Sequence, residues 1–178
     1  HLHRIASLDE ILPGRRGVAL TAAPLLGAWV ARQQPDALLL GPDEESLQWV
    51  GAAAAEGGLD HAVCRKQRHA DRAVDVALPE LELRGRAVVL LDDVASTGHT
   101  FVQAARGVLA RGAASVDVAV THALLVGDAL EQRESARRIG LAAGGGQPAL
   151  EAVRVDVSRV DFEHITARSG LEGCPVAA

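Results

Sequence analysis

The sequence predicts an α/β fold, a mainly parallel sheet flanked by helices. Short uninterrupted apolar runs, at 37–40 and 87–91 above all, alternate with stretches of helical periodicity. That is the pattern of strands buried on both faces and joined by crossover helices. Gly and Pro punctuate the junctions between these runs, as at Gly41-Pro42 and Gly57-Gly58. Of the 178 residues, 48% are hydrophobic and 23% charged, the balance of a globular chain.

Residues 21–34 read as a helix, with Thr21 as cap and Pro24 in the first turn. The run 37–40 (ALLL) is a buried strand that Gly41-Pro42-Asp43 ends. A helix follows over 45–56, closed by Gly57-Gly58, then a short strand over 61–64 and a polar stretch over 65–75. Residues 87–91 (AVVLL) form the clearest strand. Residues 100–111 are an amphipathic helix with Gly112 as its stop. A strand is expected over 115–121 and a helix over 128–138. The Gly/Ala-rich 140–146 reads as a linker or disordered loop, and 153–157 as one further strand.

Composition narrows the function. A net charge of −5 speaks against a general nucleic-acid binder or a membrane-surface protein. No apolar run reaches the ~20 residues of a bilayer span, and Cys64 and Cys174 lack metal spacing. A reduced, cytoplasmic compartment is the expectation. The chain has no methionine and opens at His1, so it reads as a fragment of a longer protein or a misplaced gene start. It also has 17 arginines against a single lysine, Lys66. Where Arg has replaced Lys nearly everywhere, a surviving Lys marks a place that needs a compact ammonium.

The chemistry concentrates in 88–100, VVLLDDVASTGHT. A hydrophobic strand delivers Asp92 and Asp93 to its C-terminal end, where open α/β sheets bind ligands. The chain then turns into a helix N-terminus, whose N–H groups and positive dipole end favour phosphate. Gly98 lets backbone approach an anion, and the hydroxyls of Ser96, Thr97 and Thr100 can donate to it. Paired carboxylates suit the other end of a sugar phosphate, because they accept hydrogen bonds from neighbouring ribose hydroxyls. No GK[ST] follows the glycine and no GxGxxG occurs, so neither a Walker A loop nor a dinucleotide fingerprint is present.

This stretch resembles the loop shared by type I phosphoribosyltransferases and ribose-phosphate pyrophosphokinases (PRPP synthetases), in which two acids precede a TG-x-T turn. Further segments, in order, resemble the pyrophosphokinase branch and its C-terminal half: His1-Leu2-His3, Leu40-Gly41-Pro42-Asp43, Lys66-Gln67-Arg68, Thr121-His122-Ala123 and Val126-Gly127-Asp128-Ala129. The resemblance spans about 2–138. It implies a phosphoribosyltransferase-type fold and transfer of pyrophosphate from MgATP to ribose 5-phosphate, giving PRPP and AMP. It implies Lys66 and Arg68 as catalytic residues on a mobile loop. Ribose 5-phosphate would lie on Asp92, Asp93, Ser96, Thr97, Gly98, His99 and Thr100. Magnesium would be the cofactor, held partly by Asp43 and His3, and the assembly a homo-oligomer, dimer or hexamer. His99 reads as a neighbour rather than a catalyst, His122 as support for the fold, and Cys64 as a small buried apolar residue.

On this reading 1–34 ends a preceding half and adds a connecting helix, 35–138 is the phosphoribosyltransferase-like domain, and 139–178 is a divergent or partly disordered tail. The chain departs from the family's pattern in places. Ser96 stands where the family more often has Asp, and Glu44-Glu45 where it has a small pair. With the first half missing, the isolated chain would bind ribose phosphate but be a poor synthetase. Two alternatives remain: a type I phosphoribosyltransferase consuming PRPP, which the few aromatic residues disfavour, or a non-catalytic module that associates with the synthetases.

Overall fold

A computed structural model describes residues 2–3, 5, 7–15, 17–68, 74–124, 136–141 and 150–156. The apolar runs form the strands the sequence predicts. They are β1 (Leu38–Gly41), β2 (Asp60–Val63), β5 (Ala87–Ala95) and β6 (Ser115–Ala123), parallel neighbours in the order β2-β1-β5-β6. The sheet continues antiparallel into β8 (Leu150–Asp156) and β7 (Ala136–Leu141). Between β2 and β5 a separate antiparallel pair, β3 (Arg65–Arg68) and β4 (Val74–Ala77), stands apart from this sheet.

Among the described residues, three α-helices cover the sheet: α1 (Ala23–Gln33), α2 (Leu47–Gly57) and α3 (His99–Ala110). Consecutive side chains of a strand point to opposite faces, so an unbroken apolar run needs a core on each side. Leu38, Leu40, Val88 and Leu90 pack with Phe101, Ala104 and Val108 of α3. Leu39, Val89 and Leu91 pack with Leu26 and Val30 of α1 and Val50 and Ala53 of α2 on the other side. Each such leucine, valine or phenylalanine side chain contributes about 1.5–3 kcal/mol by leaving water. The two helices on that side meet closely at Gly27, where any Cβ would run into the Ala53 carbonyl oxygen.

The topology creates a switch. From β1 the chain crosses through α2 to β2 on one side, whereas β5 lies on β1's other flank and α3 leads from it away to β6. Successive crossovers of one hand then place α2 and α3 on opposite faces, as the two cores require. A crevice opens at the C-terminal ends of β1 and β5, the place where open α/β sheets bind ligands.

Several expectations are revised. The acids of 92–93 lie inside β5, because its pairing with β6 runs on through Asp92↔Val120 to Ala95↔Ala123. The polar stretch after Cys64 is strand rather than loop at β3 and β4, held by cross-strand pairs such as Lys66↔Val76. Residues 136–138, expected at the end of a helix, begin β7, because they pair with 153–155 of β8. The rest of that expected helix, 128–135, lies outside the described residues, as do Val126, Gly127 and Asp128 of the sequence reading. Gly140 also sits in β7, so the Gly/Ala-rich stretch starts inside a strand, and the expected strand near 153–157 is realised as β8. Among the described residues no helix is long and apolar enough to cross a membrane.

Candidate functional site

Four strand ends converge on the crevice. β1 ends before Asp43, which caps a 3-10 turn (Glu44–Ser46) by accepting the Glu45 backbone N–H at 3.0 Å on Oδ1. That cap holds the side chain in place, largely buried. β5 carries Asp92, half-buried, and Asp93, buried, on successive positions. β6 brings Thr121 and His122 to the same end, with His122 exposed beside Val94. β2 leads through Cys64, whose N–H donates to the Gly41 carbonyl at 2.8 Å, into β3 with Lys66 and Arg68 on its backbone.

After β5 the chain turns through Ser96 and Thr97 to Gly98, whose φ of +78° is a left-handed conformation that disfavours other residues. Space is not the constraint, since a Cβ there would meet nothing within 4 Å. Gly98, the N-cap of α3, has no side chain with which to cap it, so the helix presents backbone N–H groups at this end. The His99 ring meets the Thr97 hydroxyl at 3.0 Å, which ties two loop residues together. Ser96, Thr97 and His99 are exposed, and Gly98 and Thr100 half-buried.

Electrostatically the crevice is crowded with negative charge. Burial pushes the Asp92 carboxyl from its ordinary 3.8 up to about 7; the Asp93 N–H that it accepts at 2.9 Å lowers it, while the charges of Asp93 and Asp43 raise it further. Three carboxylates so placed call for hydrogen-bond donors or a cation, which a polyhydroxylated ligand or a hard metal ion supplies. Among the described residues, no three His, Cys, Asp or Glu side chains come together to hold a metal by themselves. Cys64 is fully buried, and its thiol is pushed up to about 12 by burial and then by the Asp43 charge, so it is an inert core residue.

His3 arrives from far away in sequence. Its Nε2 lies 2.9 Å from Asp93 Oδ2, a contact across 90 residues. The structure therefore brings His3, Asp43, Asp92, Asp93 and the 96–100 turn to one sheet edge, from which the β3–β4 arm also departs. The sequence reading passes over Trp49, which belongs to no motif. Its indole nonetheless meets the His3 ring edge-on, with centroids 5.8 Å apart. The available signal was its spacing, four residues after Glu45 at the start of a helix.

The fold is the phosphoribosyltransferase type, a mainly parallel sheet flanked by helices with its turn at the end of β5. A family model described as "Phosphoribosyl transferase domain" matches residues 7–139, and the chain belongs to that family. Within it the chain is similar to ribose-phosphate pyrophosphokinases. That of Methanopyrus kandleri is 36% identical over 112 residues, covering 62% of this chain and 38% of that protein. Ribose-phosphate pyrophosphokinase 2 of Archaeoglobus fulgidus is 36% identical over 110 residues, covering 62% and 40%. This chain thus spans well under two thirds of these relatives' length. Among solved structures, phosphoribosylpyrophosphate synthetase from Mycobacterium smegmatis aligns at a TM-score of 0.51 and 26% identity, over 64% of this chain and 37% of that one.

Proposed function

We propose that this chain is the sugar-phosphate-binding part of a ribose-phosphate diphosphokinase, which transfers pyrophosphate from MgATP to ribose 5-phosphate. The observation that carries the reading is the adjacency of the Asp92-Asp93 pair and the open α3 N-terminus at the switch between β1 and β5. The 5-phosphate would take the Gly98 turn, with hydroxyl donors from Ser96, Thr97 and Thr100. The ribose hydroxyls would donate to Asp92 and Asp93, giving hydrogen-bond partners to a carboxyl that burial, and then its neighbouring carboxylates, lift.

In the reaction the 1-hydroxyl oxygen attacks the β-phosphorus, the bond from that phosphorus to the α–β bridging oxygen breaks, and AMP leaves. The hydroxyl proton goes to solvent. Charge shifts onto the leaving AMP, so catalysis rests on positioning and electrostatics. Lys66 and Arg68, on the arm rising from the same sheet edge, would steady the transferred phosphates. Magnesium would lower the repulsion between the two polyanions, and Asp43 and His3 are the residues that would hold it in part. A homo-oligomer, dimer or hexamer, in the cytoplasm would be the working form.

Calorimetric titration of ribose 5-phosphate with magnesium into the parent and the Asp92→Asn/Asp93→Asn variant tests this, with circular dichroism to verify folding. Saturable binding that the double variant loses is expected. AMP release from MgATP that depends on ribose 5-phosphate then distinguishes the kinase from a transferase that consumes PRPP. A well-folded parent that binds nothing overturns the reading.

A further inference from the structure

We infer that the first turn of α2 and the 3-10 turn before it form a clamp that positions His3 on Asp93, with Gln48 and Trp49 as its positioning residues. This rests on the proposed ribose 5-phosphate site and adds to it residues outside every motif of the sequence. Glu45, Gln48 and Trp49 stand at i, i+3 and i+4, a spacing that sets three side chains on one side of a helix start. Each engages the same dipeptide. The Gln48 side-chain amide donates to the Leu2 carbonyl at 3.1 Å. The Trp49 indole meets the His3 ring edge-on, with an interplanar angle of 72°. Glu45 Oε2 lies 3.8 Å from His3 Nδ1, the ring nitrogen that faces away from Asp93.

Together these contacts restrain the backbone before His3, the tilt of its ring and the direction of its Nε2. Without them a residue near the described N-terminal end, its side chain 36% exposed, would sample many orientations around Asp93. The cluster has an anchored base: Trp49 is itself buried in the core that α1 and α2 form with the sheet. His3 is thus delivered by a rigid element, and the carboxylate it touches keeps one orientation in the crevice. That orientation matters for a ribose, whose hydroxyls must meet fixed acceptors. It does not matter for inorganic phosphate, which needs only the 96–100 turn.

The two ligands separate positioning from general loss of structure. Gln48 is exposed, so Gln48→Ala leaves the core intact. It is expected to weaken ribose 5-phosphate binding about fivefold, the effect of one hydrogen bond, while inorganic phosphate binds the variant as it binds the parent. Trp49→Phe, which keeps an aromatic edge for His3, is expected to retain more ribose 5-phosphate affinity than Trp49→Leu. The nitrogen-15 resonances of the His3 ring report the Asp93 contact directly and are expected to move in Gln48→Ala and Trp49→Leu. If the parent binds ribose 5-phosphate and Gln48→Ala binds it equally well with an unmoved His3 spectrum, the clamp is wrong and the site stands. Equal losses for both ligands also overturn the clamp, because they mark a fold defect. A folded parent that binds no ribose 5-phosphate overturns the site, and the clamp with it.

Discussion

Replacing Asp92 by Asn should stabilise the fold while removing a sugar contact. In the parent, burial and the neighbouring charges of Asp93 and Asp43 lift this carboxyl from 3.8 to about 7. The folded state therefore holds a proton between these values that the unfolded chain has already released. Stability from this group is fully present below about pH 4 and is lost as pH rises through about 7. A shift of about three units corresponds to roughly 4 kcal/mol at most. Partial solvation of the half-buried side chain reduces the expected figure to about 2 kcal/mol. An amide carries no charge to desolvate, and its oxygen can still accept the Asp93 N–H now held at 2.9 Å. Urea unfolding of parent and variant at intervals from pH 4 to pH 8 measures the effect, since titrating groups remote from Asp92 cancel in the difference. The variant should match the parent near pH 4 and exceed it by about 2 kcal/mol at pH 8. Parallel curves across that range would refute the account of Asp92 as a buried charge held at a cost for binding.

Gly98→Ala should destabilise the protein by about 1–2 kcal/mol, because φ of +78° disfavours a Cβ although the surrounding space is open. The same variant should bind inorganic phosphate more weakly, as calorimetry beside a urea melt can read; unchanged stability would mean the turn relaxes without strain. Gly27→Ala should cost about 1–3 kcal/mol by forcing α1 off the Ala53 carbonyl of α2, a loss visible in the denaturant midpoint. An unshifted midpoint would show that the two helices have room to part.

Much of the fold is legible along the chain because its information is local. The runs at 37–40 and 87–91 can bury both faces only as interior strands, and Ser96-Thr97-Gly98 leads into a helix start wherever it is placed. The acid pair and the hydroxyl turn are adjacent in sequence, so their shared chemistry can be read without knowing the fold. The strand at β3 was not legible: Arg65–Arg68 has no apolar alternation, and its partner Val74–Ala77 lies beyond an intervening polar stretch. The same holds for β7, whose residues 136–138 read as the end of a helix and whose Gly140 reads as linker until β8 pairs with them.

The sequence by itself determined the parallel α/β class, the strands at 37–40 and 87–91, and a turn suited to phosphate beside two carboxylates. Each depends on side-chain period or on residues a few positions apart. Tertiary structure alone decided that β5 flanks β1 and so opens a crevice between Asp43 and the Asp92-Asp93 pair. It also carried β5 through the acids by pairing with β6, and set His3 on Asp93 across 90 residues. Those arrangements, and the burial that lifts Asp92, come from pairings between distant segments. No short window of sequence contains the energy of such contacts, because both partners must first be brought together by the packed sheet.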